Sequence, residues 1–179
     1  MSDEQAIITR VLDGETEAFR LLVQRYQGPV IRMVANLTGR WDGDEDVAQD
    51  AFLAAFRALG SFDPARSTFA TWLFTIARNK ALNAVARRRT LSADAAPEPS
   101  QATKPDRAMA GREFFVALDR GLASLPVSQR AAFVLVEIEE LSYEAVAQIE
   151  GVRIGTVKSR VSRAKESLRR ILSQFGDRT

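Results

Sequence analysis

The 179-residue sequence contains no cysteine and no histidine. These absences exclude disulfide bonds, thiol nucleophiles and zinc sites built from Cys and His, and they remove the commonest general base of enzymes. No apolar run approaches the roughly 18 residues of a membrane-spanning helix, and the N-terminus is acidic, so neither a transmembrane helix nor a signal peptide is expected. A Gly-rich phosphate loop is also lacking. We therefore expect a cytoplasmic protein that is not an enzyme and needs no metal or cofactor.

Signals for β-strands are scarce as well, because β-branched residues are scattered and no hairpin dipeptide separates alternating runs. Apolar residues instead recur at intervals of three and four, as in amphipathic helices. The spacing predicts helices over 3–13, 16–37, 44–59, 68–89, 112–123, 126–139, 142–150 and 153–174. Thr16, Thr68 and Ser142 are expected as helix N-caps, and Pro29 is expected to kink or break the second helix.

Residues 91–111 have the composition of a linker. They contain three prolines among mostly Ala, Ser and polar residues, and they offer no apolar face to bury. The predicted fold class is therefore all-α, with two small helical domains at 1–90 and 112–179 joined by a flexible linker at 91–111.

The net charge of +2 conceals a pattern of alternating blocks. Residues 1–64 are net acidic, whereas 65–90 carry six basic side chains and no acidic one. Residues 113–151 are again net acidic, and 152–179 carry eight basic side chains against two acidic ones. Two modules, each with one element that faces a polyanion, would explain this pattern. The alternative is that the cations only complement helix C-termini.

The C-terminal module has the pattern of a helix-turn-helix. A short helix over 142–150 is followed by a turn at Gly151-Val152 and by a long basic helix. Seven apolar residues of the long helix fall in one arc of its helical wheel: Ile154, Val157, Val161, Ala164, Leu168, Ile171 and Leu172. Lys158, Ser159, Ser162 and Arg163 fall on another side near its N-terminus, where DNA-reading helices face the major groove. A soluble helix hairpin without DNA contacts is the alternative.

Four segments resemble those of one protein family. DEDVAQDAFL (44–53) and TFATWLFTIARN (68–79) resemble the polymerase-docking and promoter-melting segments of bacterial sigma factors. LSYEAVA (141–147) and GTVKSR (155–160) match the second signature of that family. In order and spacing, the chain resembles an extracytoplasmic-function (ECF, group 4) sigma factor, which consists of a sigma-2 and a sigma-4 domain. The resemblance implies a promoter-specificity subunit that starts transcription of a stress or envelope-type regulon.

The resemblance also implies three partners: core RNA polymerase (through its β′ clamp and β flap), promoter DNA and an anti-sigma factor. Asp46, Gln49 and Asp50 match the segment that docks on the β′ clamp, where acidic and amide groups can pair with an Arg-rich surface. A solvated helix start, where acidic side chains are favoured in any case, is the alternative for these three residues.

Contacts with the −10 element are implied for the helix from Thr68 and the loop before it. The residues are Phe62, Trp72, Arg78, Asn79, Lys80, Asn83 and Arg87. Aromatic rings can stack on unpaired bases, Asn can hydrogen-bond a base edge, and cations can hold phosphates. Trp72 and Phe69 can equally belong to the core, and the same holds for Phe62.

Contacts with the −35 element are implied for the second helix of the helix-turn-helix. The residues are Arg153, Lys158, Ser159, Arg160, Ser162 and Arg163. Some relatives have Arg in place of Lys158 and an aromatic residue in place of Ser162, so the bases that are read stay open.

Two other functions compete with this interpretation. A sigma-like decoy would sequester an anti-sigma factor without binding DNA, but it should then lose the basic recognition face that this chain keeps. An autonomous regulator would normally dimerise on a palindrome, and no dimerisation helix is evident in the sequence.

Overall fold

The computed structural model of the chain describes residues 3–39, 42–91 and 109–176, with side-chain surroundings for 3–39, 42–90 and 114–173. All regular structure in these residues is helical, without a strand. The α-helices are α1 (Asp3–Leu12), α2 (Phe19–Thr38), α3 (Asp44–Ala58), α4 (Phe69–Leu91), α5 (Met109–Ser124), α6 (Val127–Phe133), α7 (Tyr143–Glu150) and α8 (Ile154–Gly176). The chain divides into two compact units, the first with α1, α3, α4 and α2 as far as Val34, and the second with the end of α2 and α5 to α8. The all-α, two-domain prediction is confirmed. Most of the predicted linker, residues 92–108, lies outside the described residues.

The start of α2 differs from its prediction. Thr16 does not cap this helix but opens a short 3₁₀ turn, Thr16–Ala18, and α2 begins at Phe19. The Thr16 amide donates to the Gly14 carbonyl at 2.9 Å, and the Arg10 Nε donates to Glu15 at 2.8 Å. These local bonds close a tight turn, so the helix can start only after it.

Pro29 does not break α2, which continues through it to Thr38. Proline removes one backbone donor and costs a helix interior about 3 kcal/mol. The fully buried side chains of Val30, Met33 and Val34 follow within two turns. Burial of such side chains contributes roughly 1.5–3 kcal/mol each, which is enough to hold the helix continuous across the proline.

The core of the first unit forms where α3 packs against α4. Small side chains, Ala51 and Ala55 on α3 and Ala77 on α4, are fully buried and let these two helices approach closely. The Phe19 ring of α2 meets the Phe56 ring of α3 edge-on, with 5.1 Å between the centroids. This packing leaves one face of α3 and one of α4 in solvent.

The second unit is organised around α8, which packs against α5, α6 and α7. Leu122 and Leu125 form an apolar cluster with Ala164 and Leu168 of α8. A Cβ atom on Gly121 would lie only 2.9 Å from Leu168 Cδ2, so the glycine lets α5 lie close against α8. The buried stripe of α8 thereby fixes which of its faces stays exposed.

Two predicted boundaries in this unit need correction. Helix α5 starts at Met109, so 109–111 belong to the helix rather than to the linker; Met and Ala are strong helix formers and outweigh Gly111 there. The helix predicted over 126–139 is α6 followed by a π-helical turn, Val134–Ile138, with Pro126 as the N-cap. The Glu139 amide donates to the Val134 carbonyl at 3.0 Å, which widens the final turn.

Candidate polymerase and DNA interfaces

The exposed face of α3 carries the residues predicted to contact core polymerase. Asp46, Gln49 and Asp50 are all exposed and lie within about one turn of one another. Leu53 follows on the same face and is 45% exposed. An apolar side chain amid acidic and amide groups has the composition of a protein-docking surface, with an apolar contact and a polar rim. Leu53 was not predicted, although its place on the polar side of the helical wheel was a readable signal.

Helix α4 begins beside a cluster of three aromatic rings. Thr68 caps the helix, because its Oγ1 accepts from the Thr71 amide at 3.2 Å, which confirms this predicted cap. The Phe62 centroid lies 5.4 Å from Trp72 and 5.7 Å from Phe69, and Phe69 lies 5.8 Å from Trp72. These separations are typical of favourable aromatic pairs.

Burial resolves the alternative that the sequence left open for these rings. Phe69 is buried and belongs to the core, whereas Phe62 and Trp72 are only half-buried. Phe62 follows a 3₁₀ turn, Leu59–Ser61, and has an extended backbone. Asp63 Oδ1 accepts from the Ala65 amide at 2.9 Å and orders the loop beyond it. Phe62 and Trp72 are therefore held by ring contacts and remain partly accessible to solvent.

The polar residues of α4 continue from this cluster along the helix. Asn79, Asn83 and Arg87 are exposed, while Lys80 is half-buried. At 3.6 residues per turn, Trp72, Asn79 and Asn83 share one face, with Lys80 and Arg87 at its edge.

Arg78 is half-buried and lies about 100° around α4 from Asn79. Its Nη1 donates to Asn79 Oδ1 at 3.4 Å. Arg78 therefore does not lie on the face shared by Trp72, Asn79 and Asn83. Its guanidinium approaches that face where it bonds Asn79.

The helix-turn-helix of the second unit is formed by α7 and α8. Ser142 Oγ accepts from the Ala145 amide at 3.1 Å, which confirms Ser142 as the cap of α7. Gly151 ends α7 in the left-handed conformation, with φ of 65°, and the Val152 amide closes the turn on the Ala147 carbonyl at 3.0 Å. This conformation strains residues other than glycine, so the turn depends on Gly151.

The N-terminal turns of α8 expose five of the six residues predicted to contact the −35 element: Arg153, Lys158, Ser159, Ser162 and Arg163. The opposite side of the helix, with Val157, Val161 and Ala164, is fully or almost fully buried. Ile154, predicted on the buried arc, is instead 38% exposed because it is the first residue of α8 and lies before the turn in which packing begins. Lys158, Ser159, Ser162 and Arg163 thus share one solvent face of α8, and Arg153 is exposed just before the helix.

Arg160 differs from its neighbours. Its Nη1 donates to Glu150 Oε2 at 2.6 Å, and the Glu150 side chain is 0% exposed while that of Arg160 is 24% exposed. The pair joins the end of α7 to α8. The sequence shows that Glu150 and Arg160 lie on either side of the turn and could pair across it. It does not show that the Glu150 carboxylate is buried.

Lys158 also contacts α7. Its Nζ lies 5.8 Å from the centroid of the Tyr143 ring, within the range of a cation–π contact. Tyr143 therefore restricts where the Lys158 ammonium can reach, and sequence reasoning did not identify it.

Comparisons with known proteins agree with this geometry. Residues 22–90 match the sequence profile of Sigma-70 region 2, and residues 115–168 match that of Sigma-70, region 4. The chain is 36% identical to the RNA polymerase sigma-H factor of Pseudomonas aeruginosa, over 94% of this chain and 93% of that protein. It is 37% identical to the ECF RNA polymerase sigma-E factor of Escherichia coli K12, over 92% of both chains.

The chain belongs to the ECF group of the sigma-70 family. As an ECF sigma factor it is a promoter-specificity subunit of RNA polymerase, and the resemblance seen in the sequence is confirmed.

Solved structures of other sigma factors share its fold. One is the sigma factor RpoE in complex with the anti-sigma factor NepR from Bartonella quintana, with a TM-score of 0.75 and 30% identity over 87% of this chain and 96% of that one. Another is CnrH in complex with the cytosolic domain of CnrY, with a TM-score of 0.71 and 27% identity over 94% of this chain and 96% of that one.

Two further properties of the described residues bear on function. None of their helices is long and apolar enough to cross a membrane. Within the same residues, no group of three or more Asp or Glu side chains is arranged to hold a metal ion.

Proposed function

We propose that this ECF sigma factor docks on core RNA polymerase through α3, captures the −10 element with α4 and the loop before it, and reads the −35 element with α8. The observation that carries the proposal is the division of the first unit into an acidic face with Leu53 on α3 and an aromatic and asparagine face on α4. An autonomous helix-turn-helix regulator needs neither face.

Docking on polymerase is assigned to Asp46, Gln49 and Asp50 around the exposed Leu53. Carboxylates on an exposed helix face gain little from isolated ion pairs, but several of them together steer a basic partner and fix its orientation. Removal of Leu53 from water would supply the apolar contribution. The β′ clamp is the proposed partner of this face, and the β flap that of the second unit.

The −10 element is assigned to the aromatic pair and the exposed amides. Phe62 and Trp72 are half-buried aromatic rings that can stack on an unpaired base, and Asn79 and Asn83 follow Trp72 along the same helix. Arg87 and Lys80 would hold phosphates. Arg78 is retained as a phosphate contact beside Asn79.

The −35 element is assigned to the exposed face of α8. Lys158 and Arg163 carry the donors that suit guanine O6 and N7, and Ser159 and Ser162 can bond a base or a phosphate. Arg153 lies just before the helix, where phosphate contacts are common. For Arg160, the bond to Glu150 supports a role in holding α7 and α8 together.

An anti-sigma factor is the third proposed partner, because RpoE and CnrH were each solved in complex with one. We also propose that the chain performs no chemistry itself and acts in the cytoplasm with the polymerase. The domain limits 1–90 and 112–179 stay a proposal, with the second extended to the start of α5.

The test is transcription in vitro with core polymerase on a library of genomic promoter fragments, with and without the chain. Start sites that depend on the chain should share a −10 and a −35 sequence, and Trp72→Ala should abolish them while Asp46→Lys weakens assembly with core. The chain alone should bind promoter duplex weakly. Tight, sequence-specific binding without polymerase would favour an autonomous regulator, and an absence of stimulated transcription would favour a decoy.

A further inference from the structure

Tyr26 joins the first turn of α1 to α2. Its hydroxyl donates to a carboxylate oxygen of Glu4, and the phenol is part-buried. The neighbouring Arg25 bonds the same turn, with Nη2 2.8 Å from Asp3 Oδ2 and Nη1 3.2 Å from Glu4 Oε1. Two adjacent residues of α2 thus hold the N-terminal helix in place.

The Tyr26 ring also contacts the aromatic cluster at the start of α4. Its centroid lies 5.6 Å from that of Phe69, at an interplanar angle of 55°. Phe69 is the buried ring on which both Phe62 and Trp72 rest. A continuous series of contacts therefore runs from the Glu4 carboxylate to the two half-buried rings Phe62 and Trp72.

We propose that Glu4 and Tyr26 are positioning residues for capture of the −10 base, which they achieve by fixing Phe69 beneath Phe62 and Trp72. This inference rests on the proposed −10 role of those two rings. Glu4 lies outside the segment 22–90 that matches region 2, so the inference extends the functional unit to α1.

The physical reason is that Phe62 lies on a loop and is positioned by its contacts with the Phe69 and Trp72 rings of α4. Stacking on a base requires the ring plane to be set before the base arrives, since a site that is about 1 Å too loose loses much of its binding energy. The bond from Tyr26 to a carboxylate is charge-assisted and therefore stronger than a neutral one. Burial, followed by the bond to Glu4, raises the pKa of the Tyr26 phenol, so it stays protonated and donates at neutral pH.

The experiment uses holoenzyme assembled from core polymerase and the full chain. Tyr26→Phe deletes the hydroxyl and keeps the ring, Glu4→Ala deletes the acceptor, and Glu4→Gln keeps an acceptor oxygen. Arg10→Gln is the matched control, because it removes another exposed ion pair of α1, the one to Glu15. Open-complex formation is measured on promoters in which each −10 base is replaced in turn by an abasic site.

Tyr26→Phe should lower open-complex formation on the intact promoter about fivefold, the effect of one lost hydrogen bond. Glu4→Ala should lower it at least as much, because it also removes the contact with Arg25, and the double variant should equal Glu4→Ala. Glu4→Gln should lie between Glu4→Ala and wild type, because its amide oxygen still accepts from Tyr26 but carries no charge. Arg10→Gln should resemble wild type. On the promoter that lacks the captured base, all variants should equal wild type, because no base remains to be held. A purely structural role would not give this convergence.

Three outcomes overturn the inference. The contacts do not act through the base if the variants form open complexes as wild type does. The same conclusion follows if open-complex formation falls by an equal factor on the abasic promoter. A thermal midpoint lowered in proportion to activity assigns Tyr26 to folding alone. A wild-type chain without any −10 preference overturns the proposed function itself, whereas a wild-type preference that survives both variants overturns only the inference.

Discussion

Replacement of Arg160 by alanine would leave the Glu150 carboxylate buried without the cation that now lies 2.6 Å from it. Removal of one partner from a buried ion pair typically costs about 3–5 kcal/mol. The Arg160 side chain is 24% exposed, so water would enter the space that it leaves and solvate part of the carboxylate. We therefore expect the second unit to lose about 2 kcal/mol of stability.

Hydrogen exchange measures this effect directly, because it reports on single amides of α8. A loss of about 2 kcal/mol should raise exchange of the most protected amides about 30-fold. The buried residues Val161 and Ala164 of α8 are suitable probes. Arg163→Ala is the matched control, since this exposed arginine of the same helix should change stability by no more than about 0.5 kcal/mol.

Promoter assays separate the two roles that sequence and structure suggest for Arg160. If it holds α7 to α8, Arg160→Ala should lower transcription by a similar factor on promoters with intact and with scrambled −35 elements. Unchanged exchange rates together with lost discrimination at one −35 base would refute this reasoning and make Arg160 a reader of DNA. In a double-variant cycle, Glu150→Ala should remove most of the additional cost of Arg160→Ala.

Three other perturbations have defined outcomes. Lys158→Ala and Arg163→Ala should each lower −35-dependent transcription by the equivalent of about 1–3 kcal/mol, checked against unchanged binding to core polymerase; an equal loss on scrambled −35 elements would assign them to phosphates. Gly151→Ala should lower the unfolding free energy of the second unit by about 1–2 kcal/mol in urea unfolding followed by circular dichroism, because its φ is 65°, and an unchanged midpoint would contradict that strain. Because the folded-state pKa of Tyr26 is raised above 10.0, its contribution to stability should be complete below about pH 10 and decline at higher pH. Tyr26→Phe should flatten that alkaline decline, and parallel stability curves for the two proteins would contradict it.

The helices themselves could be predicted because their signals are local. The periodic apolar residues gave all eight α-helices of the described chain, and Thr68 and Ser142 cap as predicted, since a side-chain cap needs only its own next turn. The misplaced elements involve competition between neighbouring signals. Thr16 does not cap α2, because the turn closed by Arg10 and Glu15 occupies this position. Pro29 does not break α2, because the buried residues that follow it hold the helix continuous.

The exposed faces of α3 and α8 could also be predicted, because one helix carries both the buried stripe and the face opposite to it. Lys158, Ser159 and Arg163 lie in solvent for that reason. What the sequence by itself determined is therefore the helices, their exposed faces and, through motif order, the family.

Only the tertiary structure decided which of two similar side chains packs inside the protein and which one faces solvent. Arg160 and Arg163 are three residues apart on α8, yet the fold places a buried carboxylate from α7 beside the first and solvent beside the second. Phe69 and Trp72 are likewise near neighbours, and Phe69 is buried against Tyr26 while Trp72 is only half-buried. The physical reason is that burial and ion pairing depend on partners distant in the sequence: Tyr26 lies more than 40 residues before Phe69. A helical pattern records which side of a helix faces inward but not what it meets there.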